Sequence, residues 1–252
     1  MKRLLLGTMA IITLGFAGPA GAASPAYNWT GFFVGGNLGY GWGTESNILT
    51  FTDPTVTVPG VIPSGHSNTL TGFIGGGGVG YNYQLNSVVV GLEADISYTY
   101  FAGSASSSGA FAPIGGPWAA LLTSPFSYSQ SSQLDWFSTV RGRIGLASAS
   151  NFLIYATGGL AFGRAEATTL LTFPLVSFAG KESGAKTGWT AGGGVEYALG
   201  NQWSAKFEYL YFDLGSLLVD DAAIPPTPTF KTWADFPLHG SIVRVGLNYK
   251  LN

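Results

Sequence analysis

Between Val88 and Tyr100 the side chains alternate without a break. Val88, Val90, Leu92, Ala94, Ile96, Tyr98 and Tyr100 share one parity, and Val89, Gly91, Glu93, Asp95, Ser97 and Thr99 share the other. A period of two belongs to a β-strand with two unlike faces. About 13 residues at roughly 3.3 Å each reach about 40 Å, beyond the usual five or six residues of a strand and enough to cross a bilayer at a tilt. The stretch therefore reads as one stave of a membrane barrel, with the bulky parity toward lipid and Glu93 and Asp95 toward the axis.

Composition agrees with that reading. Of 252 residues only 10% are charged, while 46% are hydrophobic and 14% aromatic, too few charges to coat an ordinary soluble surface. Beyond the N-terminus the chain has no unbroken apolar run long enough for a helical span, so the apolar residues belong to strands, and a closed barrel is the remaining way to cross a membrane. Met1-Lys2-Arg3, the apolar run from Leu4 to Ala17 and the small residues up to Ala23 form a secretory signal over 1–23, leaving 24–252 as the barrel. An N-terminal membrane anchor is disfavoured because the run is short and small residues follow at once. Losing Lys2 and Arg3 leaves nine bases against 13 acids, which does not suggest nucleic acid as a partner. With no cysteine, neither disulfides nor thiolate metal sites are available.

Eight strands are expected at about 29–42, 71–84, 88–100, 132–147, 152–164, 185–199, 202–213 and 239–251. Tight turns at Leu85–Ser87, Ala149–Asn151 and Gly200–Asn201 alternate with long loops at 43–70, 101–131, 165–184 and 214–238. That alternation is the plan of an eight-stranded antiparallel up-and-down outer-membrane barrel, with short periplasmic turns and long extracellular loops. Bulky sets such as Phe32, Val34, Leu38 and Tyr40, or Leu134, Trp136, Val140 and Ile144, are expected outward. The fifth strand is apolar on both parities, and its sides stay unassigned. Aromatics fall into two belts: Trp29, Tyr83, Tyr197, Trp203 and Tyr249 near the turns, and Trp42, Tyr98, Tyr100, Trp136, Trp189 and Tyr211 near the loops. A soluble lipocalin-like barrel or sandwich would show the same alternation inside out. Its surface would then be the glycine face, and the bulky face would overfill a small interior.

Ten charges lie on the glycine-bearing parity: Glu93, Asp95, Asp135, Glu196 and Glu208 against Arg141, Arg143, Lys206, Arg244 and Lys250. In a narrow lumen, equal numbers of opposite charge imply internal salt bridges that fill the bore, a structural network. A selective pore lined by the same residues is the alternative. Gly75–Gly80 matches G-x-G-x-x-G, but that fingerprint needs a helix to follow, and here Tyr81-Asn-Tyr-Gln84 continues a strand. His66 and His239 should face outside, where a haem or metal ligand role is conceivable; Asp53 or Asp235 beside them lacks a nucleophile at a useful spacing. No catalytic, cofactor-binding or metal residue is assigned, and no enzymatic activity is expected.

Several motifs together resemble the alphaproteobacterial small outer-membrane barrels, a family of porin-like and immunogenic or haemin-binding surface proteins, and more distantly the OmpA-like transmembrane domain. They include Tyr27-Asn-Trp-Thr-Gly-Phe-Phe-Val-Gly-Gly-Asn-Leu-Gly-Tyr40, Gly91-Leu-Glu-Ala-Asp95, Thr139-Val-Arg-Gly-Arg-Ile-Gly145, Gly188-Trp-Thr-Ala-Gly-Gly-Gly-Val-Glu-Tyr197, Lys206-Phe-Glu-Tyr-Leu-Tyr211 and Val243-Arg-Val-Gly-Leu-Asn-Tyr249. The resemblance implies an outer-membrane location, a structural or surface-display role in the cell envelope, and contacts with outer-membrane lipid, lipopolysaccharide and the barrel-assembly machinery. It leaves open a small-solute channel, or a haem or ligand receptor built on the loops, and does not fix the oligomeric state. Such barrels end in an aromatic residue, whereas this chain ends Tyr249-Lys-Leu-Asn252.

Overall fold

A computed structural model describes residues 27–52, 66–109, 125–149, 151–224 and 231–251. It contains eight strands: β1 (Gly31–Thr52), β2 (His66–Leu85), β3 (Val88–Gly109), β4 (Phe126–Ala147), β5 (Phe152–Thr172), β6 (Ser177–Gly200), β7 (Trp203–Ile224) and β8 (Lys231–Lys250). Each pairs antiparallel with the next and β1 pairs with β8, so the sheet closes on itself. Closure leaves no free edge in hydrocarbon, where an unpaired backbone group costs several kcal/mol. The tight turns rest on asparagine. Asn86, Asn151 and Asn201 have φ of 55°, 63° and 47°, the left-handed region that this side chain tolerates better than most.

The two parities face as the alternation demands. Leu92 is 67% exposed and Phe207 49%, while their neighbours Glu93 and Glu208 are 5% and 0% exposed. β5, ambiguous in sequence, turns Leu153, Tyr155 and Ala161 inward and Ile154 and Leu160 outward. Glycines on the inner parity let strands close around bulky neighbours: a Cβ on Gly80 would run into the Phe33 ring, and one on Gly72 into the Tyr100 carbonyl.

Four expectations need correction. The strands run far past the expected ends, so much of 43–70, 101–131, 165–184 and 214–238 is wall; the parts at 53–65, 110–124 and 225–230 lie outside the described residues. A strand of about 22 residues tilted near 40° rises about 55 Å, twice the roughly 25 Å apolar band, so the barrel projects well beyond the membrane on the loop side. Second, β4 bulges at Asp135: Leu134 pairs with Ala165 and Trp136 with Arg164, which flips the parity. Leu134 is therefore buried inside and Asp135 sits at the outer surface, opposite to the regular alternation. Third, Trp29 does not join the periplasmic belt but is buried in the barrel mouth with Val89, Ala147, Leu153, Tyr155 and Ala198. Fourth, Lys250 sits at the rim and not in the bore. Its Nζ donates to the Asn28 carbonyl at 2.7 Å and lies 4.7 Å from the Tyr27 ring centroid.

The lumen is stratified. Above the Trp29 floor comes a charged layer. Above that lies an apolar layer in which Ile74, Phe101, Phe137, Leu210, Phe212 and Ile242 are all buried. Leu217, Val219 and Phe236 extend it upward, and Gln130, Thr169 and Asp221 follow as buried polar groups. The longest interruption among the described ladders is in the β6–β7 seam. The β6–β7 ladder pairs Ala179 with Ala222 and resumes only at Trp189 with Asp213. At Gly180 and Gly188 the strands touch, since a Cβ there would strike Asp221 or the Asp213 carbonyl; midway, a Cβ on Gly184 would meet nothing nearer than Leu217 Cδ1 at 4.0 Å.

Candidate functional site

The charged layer is assembled by register. Glu93 and Asp95 occupy successive inward positions of β3, and Arg141 and Arg143 do so on β4, with Glu93 directly opposite Arg141. On the far wall Glu208 of β7 stands opposite Arg244 of β8, and Glu196 of β6 opposite Lys206. Because the bore is narrow, these side chains also meet across it.

Arg141 is the hub. Its Nη2 lies 3.0 Å from Asp95 Oδ2 and 3.4 Å from Glu93 Oε1, its Nη1 donates to Glu208 Oε1 at 3.0 Å, and its Nε donates to Thr139 Oγ1 at 2.9 Å. Thr139 in turn donates to Asp95 Oδ2 at 2.7 Å. Arg244 reaches the same two carboxylates, with Nε 2.6 Å from Glu208 Oε2 and Nη2 3.1 Å from Asp95 Oδ2. Lys206 pairs with Glu93 across the lumen and not with Glu196, its ladder neighbour. Arg143 pairs with Glu196 at 3.0 Å, donates to Asn82 Oδ1 at 2.7 Å, and stacks between the Phe33 and Tyr155 rings at 4.8 and 5.3 Å. Tyr155 donates its hydroxyl to Glu208 at 3.0 Å, and Asn248 donates to Glu196 at 2.8 Å. Below this layer, burial lifts the Tyr27 phenol above its usual pKa, and the Glu196 charge adds to the effect.

Eight of the ten anticipated charges thus meet in one network of four carboxylates and four bases. Asp135 and Lys250 do not belong to it. Asp135 is solvent-accessible and pairs at 3.7 Å with Arg164, itself exposed. Charges this buried must be mutually neutralised, because an unpaired one would cost several kcal/mol in desolvation. The arrangement suits charge compensation and rigidity. Among the described residues no three His, Cys, Asp or Glu side chains converge as metal ligands. His239 stands on the outer parity opposite Asp213, while the His66 side chain lies outside the described residues. Gly75–Gly80 lies in mid-strand, and β2 continues to Leu85.

The apolar layer above the ions was not anticipated, although its signal is present in the inward parity. Glu208 is followed by Leu210 and Phe212, Arg244 is preceded by Ile242, and Thr139 by Phe137.

A closed ring of eight strands with an apolar outer band and a charge-compensated interior defines a transmembrane β-barrel. The chain belongs to the outer membrane protein beta-barrel domain family, whose model matches residues 9–250, and it resides in the outer membrane. A 31 kDa outer-membrane immunogenic protein of Brucella melitensis is 33% identical over 236 residues, covering 92% of this chain and 88% of that one. A 22 kDa outer membrane protein of Rhizobium leguminosarum is 28% identical, covering 76% and 67%. Among solved structures, OprG of Pseudomonas aeruginosa aligns with a TM-score of 0.45 at 13% identity, covering 89% of this chain and 98% of that one.

Proposed function

We propose that this protein is a non-enzymatic structural barrel of the outer membrane, closed to solutes, whose wall and loops are displayed at the cell surface. The observation that carries this reading is the stacking in the lumen. A charged layer with buried, mutually paired ions lies directly beneath an apolar layer whose Phe137, Leu210 and Ile242 are fully buried. An ion in transit would lose its hydration in the apolar layer and meet charges that are already paired below it. In this reading residues 1–23 direct export and are removed, the assembly machinery inserts the barrel, and lipopolysaccharide surrounds its outer half. The names of the relatives agree with surface exposure.

The test is conductance in planar bilayers. Purified protein should give no steady openings, while Phe137→Ala combined with Phe212→Ala should raise the baseline by emptying the apolar layer. Steady single-channel openings of the unmodified barrel would replace this reading with the channel.

A further inference from the structure

The serine run at 104–108, expected as loop, is ordered wall. β3 turns Ser104 and Ser106 outward, and β4 sets Ser131 and Ser129 directly beside them; Thr168 of β5 extends the row past Ser131. Two shallow grooves of about 480 and 370 Å³ cross this face and share Ser104, Ser131 and Thr168. Glu166, at the margin of the first groove, is neutralised by Lys181 at 2.7 Å. Lys181 of β6 stands beside Thr168 in register, and Arg164 lies four residues below Thr168 on β5, paired with Asp135.

The foot of the serine face is the upper aromatic belt. Tyr98 and Tyr100 are 78% and 80% exposed on the same parity of β3, and Ser104 follows Tyr100 by four residues. At about 2.5 Å of rise per tilted residue, the hydroxyls begin about 10 Å above the belt. That height is the headgroup and sugar zone of the outer leaflet, continuous with the established lipid interface. A hydroxyl both donates and accepts, so a grid of them matches a neutral polyol, whereas a phosphate partner would call for a free cation, and Lys181, which stands beside Thr168, is already paired with Glu166. Strand spacing near 4.8 Å and a repeat of about 6.8 Å along each strand set the grid dimensions. A second copy of the chain is a poor occupant, because a stable interface needs an apolar centre.

We propose that this face docks the saccharide portion of a glycolipid anchored in the same outer leaflet, sugar hydroxyls bonding to the Ser104–Ser131–Thr168 row, with the innermost sugar over Tyr100. The proposal rests on the outer-membrane placement and is independent of whether the lumen conducts. To test it, the full chain is placed in nanodiscs containing either core-bearing lipopolysaccharide or the same glycolipid stripped to lipid A, and glycolipid retained per barrel is counted by native mass spectrometry. The unmodified protein should retain several-fold more of the core-bearing form. The triple substitution Ser104→Ala, Ser129→Ala, Ser131→Ala should abolish that preference, and Ser129→Glu, which adds an exposed charge to the face, should do the same. Arg164→Gln with Lys181→Gln should keep it. Heat-dependent gel migration checks that each variant is folded. Equal retention of the two glycolipids by the unmodified protein, a preference that survives the serine variants, or one lost with the cations would overturn the proposal. So would binding of free core oligosaccharide as tight as that of the anchored form.

Discussion

Arg141 and Arg244 share Asp95 and Glu208, so four side chains from four strands form a closed ring of ion pairs. Removing one arginine leaves two buried carboxylates short of charge. Arg141→Met should therefore destabilise the barrel by about 3–5 kcal/mol, read from equilibrium urea unfolding in lipid vesicles. The exposed Asp135–Arg164 pair offers the contrast: Asp135→Asn should shift the same measurement by no more than about 0.5 kcal/mol. On the outer face, Leu92→Arg puts a charge near mid-membrane and should cost about 2–4 kcal/mol in the same assay.

At the scale of the strand, parity governs everything, and the Asp135 bulge decides it for the upper half of β4. Deleting Asp135 would restore a regular ladder to β5 with Leu134, Ser132 and Gln130 still facing the lumen, but against β3, which already carries one extra residue between Tyr98 and Phe101, it would leave two unmatched. The deletion should lower the temperature at which the folded gel band converts to the unfolded one, whereas Asp135→Asn should leave it unchanged. Glycines on opposite parities should likewise diverge. Gly158 faces outward with its nearest obstacle, the Thr190 carbonyl, 3.5 Å from a Cβ, so Gly158→Leu should fold; Gly76→Leu would drive into the Ile96 carbonyl and should not. Membrane-crossing segments were legible in sequence because one face meets lipid and the other does not, as in Val88–Tyr100. Above the membrane both faces become polar or small, as in Ser104–Ser108, so the alternation fades and wall resembles loop. The bulge was illegible for another reason: Leu134, Asp135 and Trp136 also fit an unbroken alternation, and only pairing to β5 reveals the extra residue.

At the scale of the whole molecule, the eight charges were readable as a set because they share a parity, but their pairing was not. Which carboxylate meets which base depends on contacts across the bore, such as Lys206 with Glu93, that no spacing along the chain encodes. The extended wall changes the expected surface digestion. Protease applied to whole cells should spare 165–172 and 177–179, which are paired strand, where a long loop would have been cut.

The interrupted β6–β7 seam leaves Gly180–Gly188 hydrogen-bonded in register on its β5 side alone. A cylinder knitted evenly all round has no preferred place to fail, but this one drops its longest run of stitches here, just above the bilayer. Its backbone amides should take up deuterium ahead of the flanking rows, and a pulling force applied to the intact fold should start its tear there.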